Sequence, residues 1–218
     1  MESAAGLLAI WHDVAQGSED AVTDWYNREH HAERLAVPGF LEARRGRLAG
    51  GAGTQFCSLY RTSHPEVLRS PAYLARLGAP SPRTREIMPL YRNMSRTICR
   101  IAVEEGGATG GAVACFAGAG SLDAAPVQVH ALFAALAKER GVLRHTFLVA
   151  AAAAPDTAEA GLRGGADASV GWAVLVDTNE TEEALALLPR IEHSLKDLPG
   201  AAAPVHRAAY RIVYTGRA

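Results

Sequence analysis

The sequence is poor in cysteine, in clustered positive charge and in long apolar runs, and each shortage excludes a class of protein. The three cysteines stand apart and form no CxxC pair, which argues against a disulfide framework or a zinc finger. The 22 lysines and arginines are spread along the chain and balance 23 aspartates and glutamates, so a nucleic-acid-binding surface is not indicated. The apolar run 147–154 is far shorter than the roughly 20 residues with which a helix crosses a membrane.

Motifs typical of common cofactor sites are missing as well. The glycine-rich stretch 50–53 separates two predicted strands, whereas a phosphate-binding loop joins a strand to a helix. The pair His30–His31 lacks the i, i+4 spacing of a helical zinc site. We therefore expect no cofactor and no metal. The isolated cysteines and the lack of an N-terminal targeting segment predict a cytoplasmic protein without membrane association.

The hydrophobic pattern predicts strands and helices in an order that occurs twice. The first series has strands at 6–14, 40–48, 55–62 and 95–103, and helices before Pro38–Gly39, at 65–77 and at 83–91. The second has strands at 112–117, 142–151, 170–177 and 205–214, helices at 124–140 and 181–198, and a loop at 155–165. The glycine-rich segment 104–110 between them predicts a linker, which divides the chain into repeats 1–105 and 110–218.

The segment 24–40, DWYNREHHAERLAVPGF, runs from the end of the first helix into the second strand. Its Trp–Tyr–Asn run, its Glu–His pair and its Pro–Gly–Phe ending resemble the helix-to-strand motif of the dimeric α+β barrel superfamily, most closely of its EthD-like members. His31 departs from that motif, in which a bulky apolar residue is expected. The resemblance implies ferredoxin-like sheets that pack face to face into a barrel. It leaves the chemistry open, because the superfamily hosts isomerases, lyases, cofactor-free oxygenases and haem enzymes.

Both repeats lie in one chain, so the expected fold is of the α+β class, with tandem ferredoxin-like (βαββαβ) repeats that form an intrachain dimeric α+β barrel. Such a chain is a monomeric pseudo-dimer or one half of a homodimer. The second repeat lacks the Trp–Tyr–Asn–Glu–His run, and its corresponding helix, 127–133, has the composition of an ordinary packing helix. We therefore expect the first repeat to carry the site and the second to be its structural partner.

The first helix supplies the first candidate site residues. On an α-helix Asn27, His30 and Arg34 share one stripe, while Trp25 and Tyr26 can face the core. An imidazole titrates near neutral pH, so His30 is the candidate general acid or base, and Asn27 can hold a substrate oxygen. His31 is expected to point elsewhere, because adjacent helical residues do not share a face. The alternative interpretation is that His30 only packs against the strand below.

Two neighbouring strands supply the other candidates. His12 ends the first strand, and strand alternation places it on the opposite face from Trp11. Arg44 and Arg45 lie on opposite faces of the second strand, and a buried arginine needs an acidic or oxygen-bearing partner. Tyr60 on the next strand can donate a hydrogen bond to the same ligand. An internal salt bridge and a core tyrosine are the alternative interpretation.

These residues predict a cofactor-independent enzyme of isomerase, lyase or oxygenase type that acts on a small oxygenated apolar or aromatic metabolite. The predicted catalytic residues are His30 and His12. The predicted substrate-binding residues are Trp11, Trp25, Tyr26, Asn27, Arg44, Arg45 and Tyr60. A non-catalytic protein that binds a small ligand is one alternative. A haem-binding protein of the same superfamily is another, in which His130, His145 or His193 would be the axial ligand.

Overall fold

The computed structural model describes residues 4–122, 126–152, 155, 157–196, 198 and 204–218. Within these ranges, antiparallel strands close into one barrel in the order β1-β3-β2-β8-β5-β7-β6-β4. The strands are β1 (Gly6–Val14), β2 (Phe40–Ala52), β3 (Phe56–Thr62), β4 (Tyr91–Gly106), β5 (Ala112–Gly118), β6 (Val142–Ala152), β7 (Trp172–Thr178) and β8 (His206–Arg217). The helices, which lie outside the barrel, are α1 (Glu19–Trp25), α2 (His31–Leu35), α3 (Pro71–Gly78), α4 (Pro82–Ile87), α5 (Pro126–Leu136), α6 (Ala158–Leu162) and α7 (Thr181–Leu195).

This topology confirms the predicted fold class. The chain is an α+β protein in which tandem ferredoxin-like repeats form an intrachain dimeric α+β barrel. The predicted strands all exist, and several are longer than the sequence indicated. No helix within the described ranges is both long and apolar enough to span a membrane.

The region between β3 and β4 is more broken than predicted. The predicted helix 65–77 is a 3-10 turn at Pro65–Arg69 followed by α3, and the Ser70 hydroxyl caps α3 by accepting from the Tyr73 N–H at 3.2 Å. Proline at the first position of α3 has no N–H to give to a preceding turn, so a new helix begins there. The predicted helix 83–91 is likewise α4 plus a 3-10 turn, Met88–Leu90, after which β4 begins.

The two repeats are joined by the long strands β2 and β4, which pair with β8 and β6 as well as with strands of their own repeat. Each junction contains a glycine with positive φ, Gly51 at 93° and Gly106 at 89°. A Cβ on Gly51 would lie 2.3 Å from the Arg207 carbonyl oxygen, and one on Gly106 would lie 2.2 Å from that of Leu143. The glycines that predicted a hairpin turn and a linker therefore belong in part to strands that connect the repeats.

The barrel interior is packed with side chains from both repeats. Leu7, Ala9 and Trp11 of β1 meet Cys115 of β5 and Leu175 of β7 there. Strand alternation turns the other face of β1 toward the helices of the first repeat. That second layer, between the sheet and α1 to α4, contains buried polar residues of the first repeat, among them His30, His31 and Arg34.

Candidate functional site

A π-helical turn, Tyr26–His30, joins α1 to α2 and sets the direction of the histidines. The His31 N–H donates to the Tyr26 carbonyl, a bond that spans five residues where an α-helix spans four. The wider turn brings Tyr26, His30 and His31 together on the buried side. The Tyr26 ring centroid lies 5.1 Å from that of His30 and 4.9 Å from that of His31. The expectation that His31 points elsewhere assumed α-helical spacing; in the structure its ring is buried on the same side as His30 and stacks on Tyr214, with centroids 3.8 Å apart.

Two residues of the predicted ligand set face away from this layer. Asn27 is exposed, because the π turn rotates it out of the stripe it would share with His30 on an α-helix. Trp11 lies in the barrel interior, where its ring stacks on that of His206 with centroids 4.8 Å apart. Neither side chain reaches the space under α1 and α2. The predicted substrate-binding roles of Asn27 and Trp11 in that space are therefore wrong.

A small cavity of about 30 Å³ lies between the first repeat's sheet and its helices; we call it the His30 cavity. Of the predicted site residues, His30, Tyr26 and Tyr60 line it. Trp25 is buried behind His30, with ring centroids 4.2 Å apart, and its indole N–H donates to a Glu29 carboxylate oxygen at 3.3 Å. The predicted residues thus give this cavity one imidazole and two phenol groups.

His12 is on the correct face of β1 but does not line the cavity. Its ring stacks on Phe56, with centroids 5.3 Å apart, and lies 4.5 Å from the Tyr91 ring. Its Nδ1 is 3.2 Å from the Asp13 carbonyl oxygen. The rings of Tyr26 and Tyr91 lie between His12 and the cavity. The predicted catalytic role of His12 in this cavity is therefore wrong, and its ring packs behind those two tyrosines.

The adjacent arginines Arg44 and Arg45 divide between the two layers. Arg44 faces the barrel interior, where its Nη2 lies 2.5 Å from Asp177, and both side chains are buried. This internal ion pair corrects the predicted substrate-binding role of Arg44. Arg45 faces the helices, and its guanidinium carbon lies 4.3 Å from the Tyr26 ring centroid and 4.2 Å from that of Phe56. It packs behind Tyr26 and does not line the cavity.

Arg34 of α2 and Glu159 of α6 form a buried ion pair at the cavity wall. Arg34 Nη2 lies 2.7 Å and 2.6 Å from the two Glu159 carboxylate oxygens, and the two side chains are 3% and 5% exposed. Burial alone would lower the pKa of Arg34, but the Glu159 carboxylate outweighs that effect and raises it. The second repeat therefore contributes a charged side chain to the site of the first.

Glu159 was missed because the segment 155–165 was predicted to be a loop. The structure contains α6 there, and the Thr157 hydroxyl caps it by accepting from the Ala160 N–H at 3.2 Å. A threonine followed by Ala–Glu–Ala is a helix-start signal that the sequence did offer. Nothing local indicated that this helix would pack on the other repeat.

Three arginines and one carboxylate face the His30 cavity among the residues that the structure describes there: Arg34, Arg96 and Arg163 against Glu159. Arg96 Nη2 donates to the Tyr73 hydroxyl at 3.0 Å. Arg163 pairs with Asp167, which is not part of the lining and whose Oδ1 accepts from Arg163 Nε at 3.1 Å. Arg96 is therefore the lining arginine that has no carboxylate partner among the described residues.

Burial keeps the histidines of this layer neutral. It lowers the pKa of His30 well below its ordinary value, and the charge of Arg34 adds to the effect. Burial, followed by the charge of Arg45, lowers the pKa of both His12 and His31 to about 3. A neutral imidazole has a free lone pair. The Nδ1 atom of His30 is buried and has no hydrogen-bond partner in the described part of the chain.

The tyrosines of the cavity remain hydrogen-bond donors. Burial, together with the neighbouring Tyr26, raises the pKa of Tyr60 and Tyr91 well above the ordinary value. The Tyr91 hydroxyl donates to that of Tyr26 at 2.8 Å. Protonated phenols and a guanidinium together suit an oxygen that carries or develops negative charge.

Two larger open clefts border the segment 157–169. They measure about 580 and 570 Å³, and Gly165, Asp167 and Ser169 line both. The first shares Tyr91 and Arg163 with the His30 cavity, and the second shares Arg96 and Thr157 with it. Only this segment and its neighbours separate the small cavity from spaces of ordinary ligand size.

The three histidines named above as possible axial ligands are not placed to bind a haem. His130 is exposed and its Nδ1 lies 2.5 Å from a Glu105 carboxylate oxygen, while His193 is exposed on α7. His145 is buried with its ring stacked on that of Phe133, centroids 5.0 Å apart. None of the three borders the cavity or the clefts described above. Over the described ranges, no three side chains of histidine, cysteine, aspartate or glutamate are grouped as metal ligands would be.

No family model matches the chain, and no curated protein sequence matches it. Several solved structures share its fold. An anthrone oxidase-like protein has a TM-score of 0.61 at 9% identity, with 99% of this chain and 93% of that chain covered. A "Putative monooxygenase" from Fusobacterium nucleatum has a TM-score of 0.56 at 10% identity, with 100% and 96% covered. One of the same description from Lactobacillus acidophilus has a TM-score of 0.54 at 8% identity, with 99% and 97% covered.

At such low identities this likeness concerns the fold. It agrees with the resemblance to the dimeric α+β barrel superfamily seen in the segment 24–40. The narrower EthD-like resemblance stays a prediction.

Proposed function

We propose that this protein is an enzyme that removes a proton from a small oxygenated, largely apolar or aromatic molecule bound in the His30 cavity. One observation carries the proposal: a buried, neutral imidazole shares a cavity with the Arg34 guanidinium and a set of tyrosine hydroxyls. The apolar part of the lining consists of Leu8, Ile10, Leu77, Met88 and Met94. A base beside fixed donors is the arrangement that acid–base catalysis requires.

In the proposed step, His30 accepts a proton from carbon or oxygen of the substrate. The negative charge that the proton leaves behind settles on a substrate oxygen, where Arg34 and the hydroxyl of Tyr60 stabilise it. Such a base typically contributes about 10²–10⁴ in rate. Isomerisation, elimination and oxygenation can all begin with this step, which by itself requires no cofactor.

The similar structures support the oxygenation branch of this proposal, since they are named as monooxygenases and as an anthrone oxidase-like protein. We further propose that residues 1–105 form the repeat that carries the base and residues 110–218 its partner, in a cytoplasmic monomer or homodimer. Residues 110–218 then contribute to the site as well as to the barrel, because their Glu159 pairs with Arg34.

Hydrogen–deuterium exchange tests the base without assuming the later chemistry. Anthrone, the compound in the name of one similar structure, has acidic methylene hydrogens next to its aromatic rings. We expect the wild-type protein to accelerate their exchange in D₂O, followed by NMR, and His30→Gln to lose that acceleration by about 10²-fold or more. His64→Gln is the matched control, because the His64 side chain is 43% exposed and lies outside the cavity.

Circular dichroism and thermal unfolding establish that the His30→Gln variant is folded. Equal exchange rates in wild type and His30→Gln would remove His30 from the mechanism. Binding of anthrone without exchange would favour the alternative of a non-catalytic ligand-binding protein.

A further inference from the structure

Arg34 has more hydrogen-bonding capacity than its partner uses. Both carboxylate oxygens of Glu159 lie within 2.7 Å of the same nitrogen, Nη2. The other terminal nitrogen, Nη1, is buried and has no hydrogen-bond partner in the parts of the chain that the structure describes. A guanidinium usually binds a carboxylate through two nitrogens at once, so this pairing leaves half of the fork unused.

The charges around the cavity point the same way. Arg34 pairs with Glu159 and Arg163 with Asp167, so that Arg96, which donates to the Tyr73 hydroxyl, is the lining arginine without a carboxylate among the described residues. A buried cation without a counter-charge is costly, and an additional anion in the cavity would offset that cost. An anion beside Arg34 would also favour the positive charge that His30 acquires when it accepts a proton.

We infer that the substrate of the His30 cavity is a small organic carboxylate whose oxygens bind Arg34 in place of Glu159. This inference rests on the proposed function and names the chemical class of its substrate. The substrate carboxylate takes both terminal nitrogens of Arg34, and its apolar part lies toward His30. Without substrate, the Glu159 carboxylate occupies the position on Arg34 that the substrate carboxylate takes.

The same exchange explains how a cavity of about 30 Å³ accommodates a metabolite. Glu159 lies on a five-residue helix, α6, which contains Gly161 and is followed by Gly164 and Gly165. The far end of the segment is fixed, because the backbone of Ala168 exchanges hydrogen bonds of 2.8 Å with Met94 and Arg96 of β4. Release of Glu159 frees the near end, so that the cavity joins the clefts on the same segment.

Calorimetry with benzoate and benzamide, which differ in charge but hardly in shape, tests the inference. We expect wild type to bind benzoate, and Glu159→Gln to bind it at least about tenfold more tightly because the internal carboxylate is gone. Benzamide should gain nothing from that substitution. Asp177→Asn is the matched control: it also removes a carboxylate from a buried arginine, Arg44, but in the barrel interior. It should leave benzoate affinity as in wild type.

The double variant Arg34→Gln/Glu159→Gln neutralises both members of the buried ion pair, so it leaves neither charge unpaired and should fold even if Glu159→Gln does not. It should bind benzoate no better than benzamide. An equal gain for both probes, no gain in Glu159→Gln, or no benzoate binding in any variant would overturn the inference. If anthrone exchange still depends on His30 after such a result, only the substrate class is wrong. If the benzoate gain appears without any His30-dependent exchange, the anion site stands and the proposed catalysis is wrong.

Discussion

Arg34 Nη2 lies 2.7 Å and 2.6 Å from the carboxylate oxygens of Glu159, a residue 125 positions further along the chain. This contact joins α2 of the first repeat to α6 of the second. It closes the side of the His30 cavity where the two repeats meet. The candidate site is therefore a product of the fused barrel, although its base and its donors come from one repeat.

Removal of the Glu159 carboxylate should destabilise the fold strongly. Glu159→Ala leaves a buried guanidinium without its counter-charge, and we expect a loss of about 3–5 kcal/mol in the free energy of unfolding. Urea denaturation measures the change. Glu192→Ala is the control, because Glu192 pairs with Arg207 at 3.0 Å with side chains 38% and 32% exposed. Its loss should cost less than about 1 kcal/mol. Similar losses in the two variants would show that Arg34 and Glu159 are not a buried pair.

Adjacent arginines on β2 should respond differently to the same substitution. Arg44→Met removes one partner of Asp177, and we expect a cost of about 2–3 kcal/mol, because Arg144 still pairs with Asp177 at 3.0 Å. Arg45→Met leaves no carboxylate unpaired among the described residues, and methionine keeps the contact with Tyr26. We expect a change of no more than about 1 kcal/mol, since the lost cation–π contacts are offset by the removal of a buried charge. Urea denaturation of the two variants decides this, and a reversed order would contradict the assignment of the two faces.

Stability should fall as the pH falls below about 6.5. The pKa of His31 is lowered by burial to about 3, so between these values the unfolded chain binds a proton that the folded chain does not. Stability therefore rises with pH across this window, and each such histidine contributes a slope of up to about 1.4 kcal/mol per pH unit. His31→Phe keeps a ring against Tyr214, whose centroid lies 3.8 Å away, and should reduce the slope by that amount.

Urea denaturation at pH 7, 6 and 5 measures the slope. His64→Asn is the control, because it removes a histidine from the surface without removing a buried imidazole. An unchanged slope in His31→Phe would mean that His31 is protonated in the folded protein.

The fold was predictable because its signals are local. Apolar alternation and turn residues located the strands, and the segment 24–40 resembles a motif of proteins with this fold. Strand alternation also put His12 and Trp11 on the correct opposite faces of β1. The site was harder, because its geometry depends on departures from regular spacing. The π turn exposed Asn27 and buried His31, and no propensity rule indicates such a turn.

The remaining site residues depend on tertiary packing. Alternation showed that Arg44 and Arg45 face opposite ways, but only the location of Asp177 shows which of them enters the barrel. Glu159 reaches Arg34 across the junction of the repeats, and the sequence offered no more than a helix cap at Thr157 to indicate the element that bears it. A charge that pairs over such a separation is invisible to any window along the chain.

The central claim is that the His30 cavity binds a substrate carboxylate on Arg34. A structure of crystals grown in the presence of benzoate tests it most directly. The account predicts benzoate in the His30 cavity, with its carboxylate on both terminal nitrogens of Arg34, its ring toward His30 and Glu159 displaced. Benzoate found only in the cleft of about 580 Å³ that Tyr91 and Arg163 share with the cavity, or Glu159 still bound to Arg34 with ligand elsewhere, would contradict it.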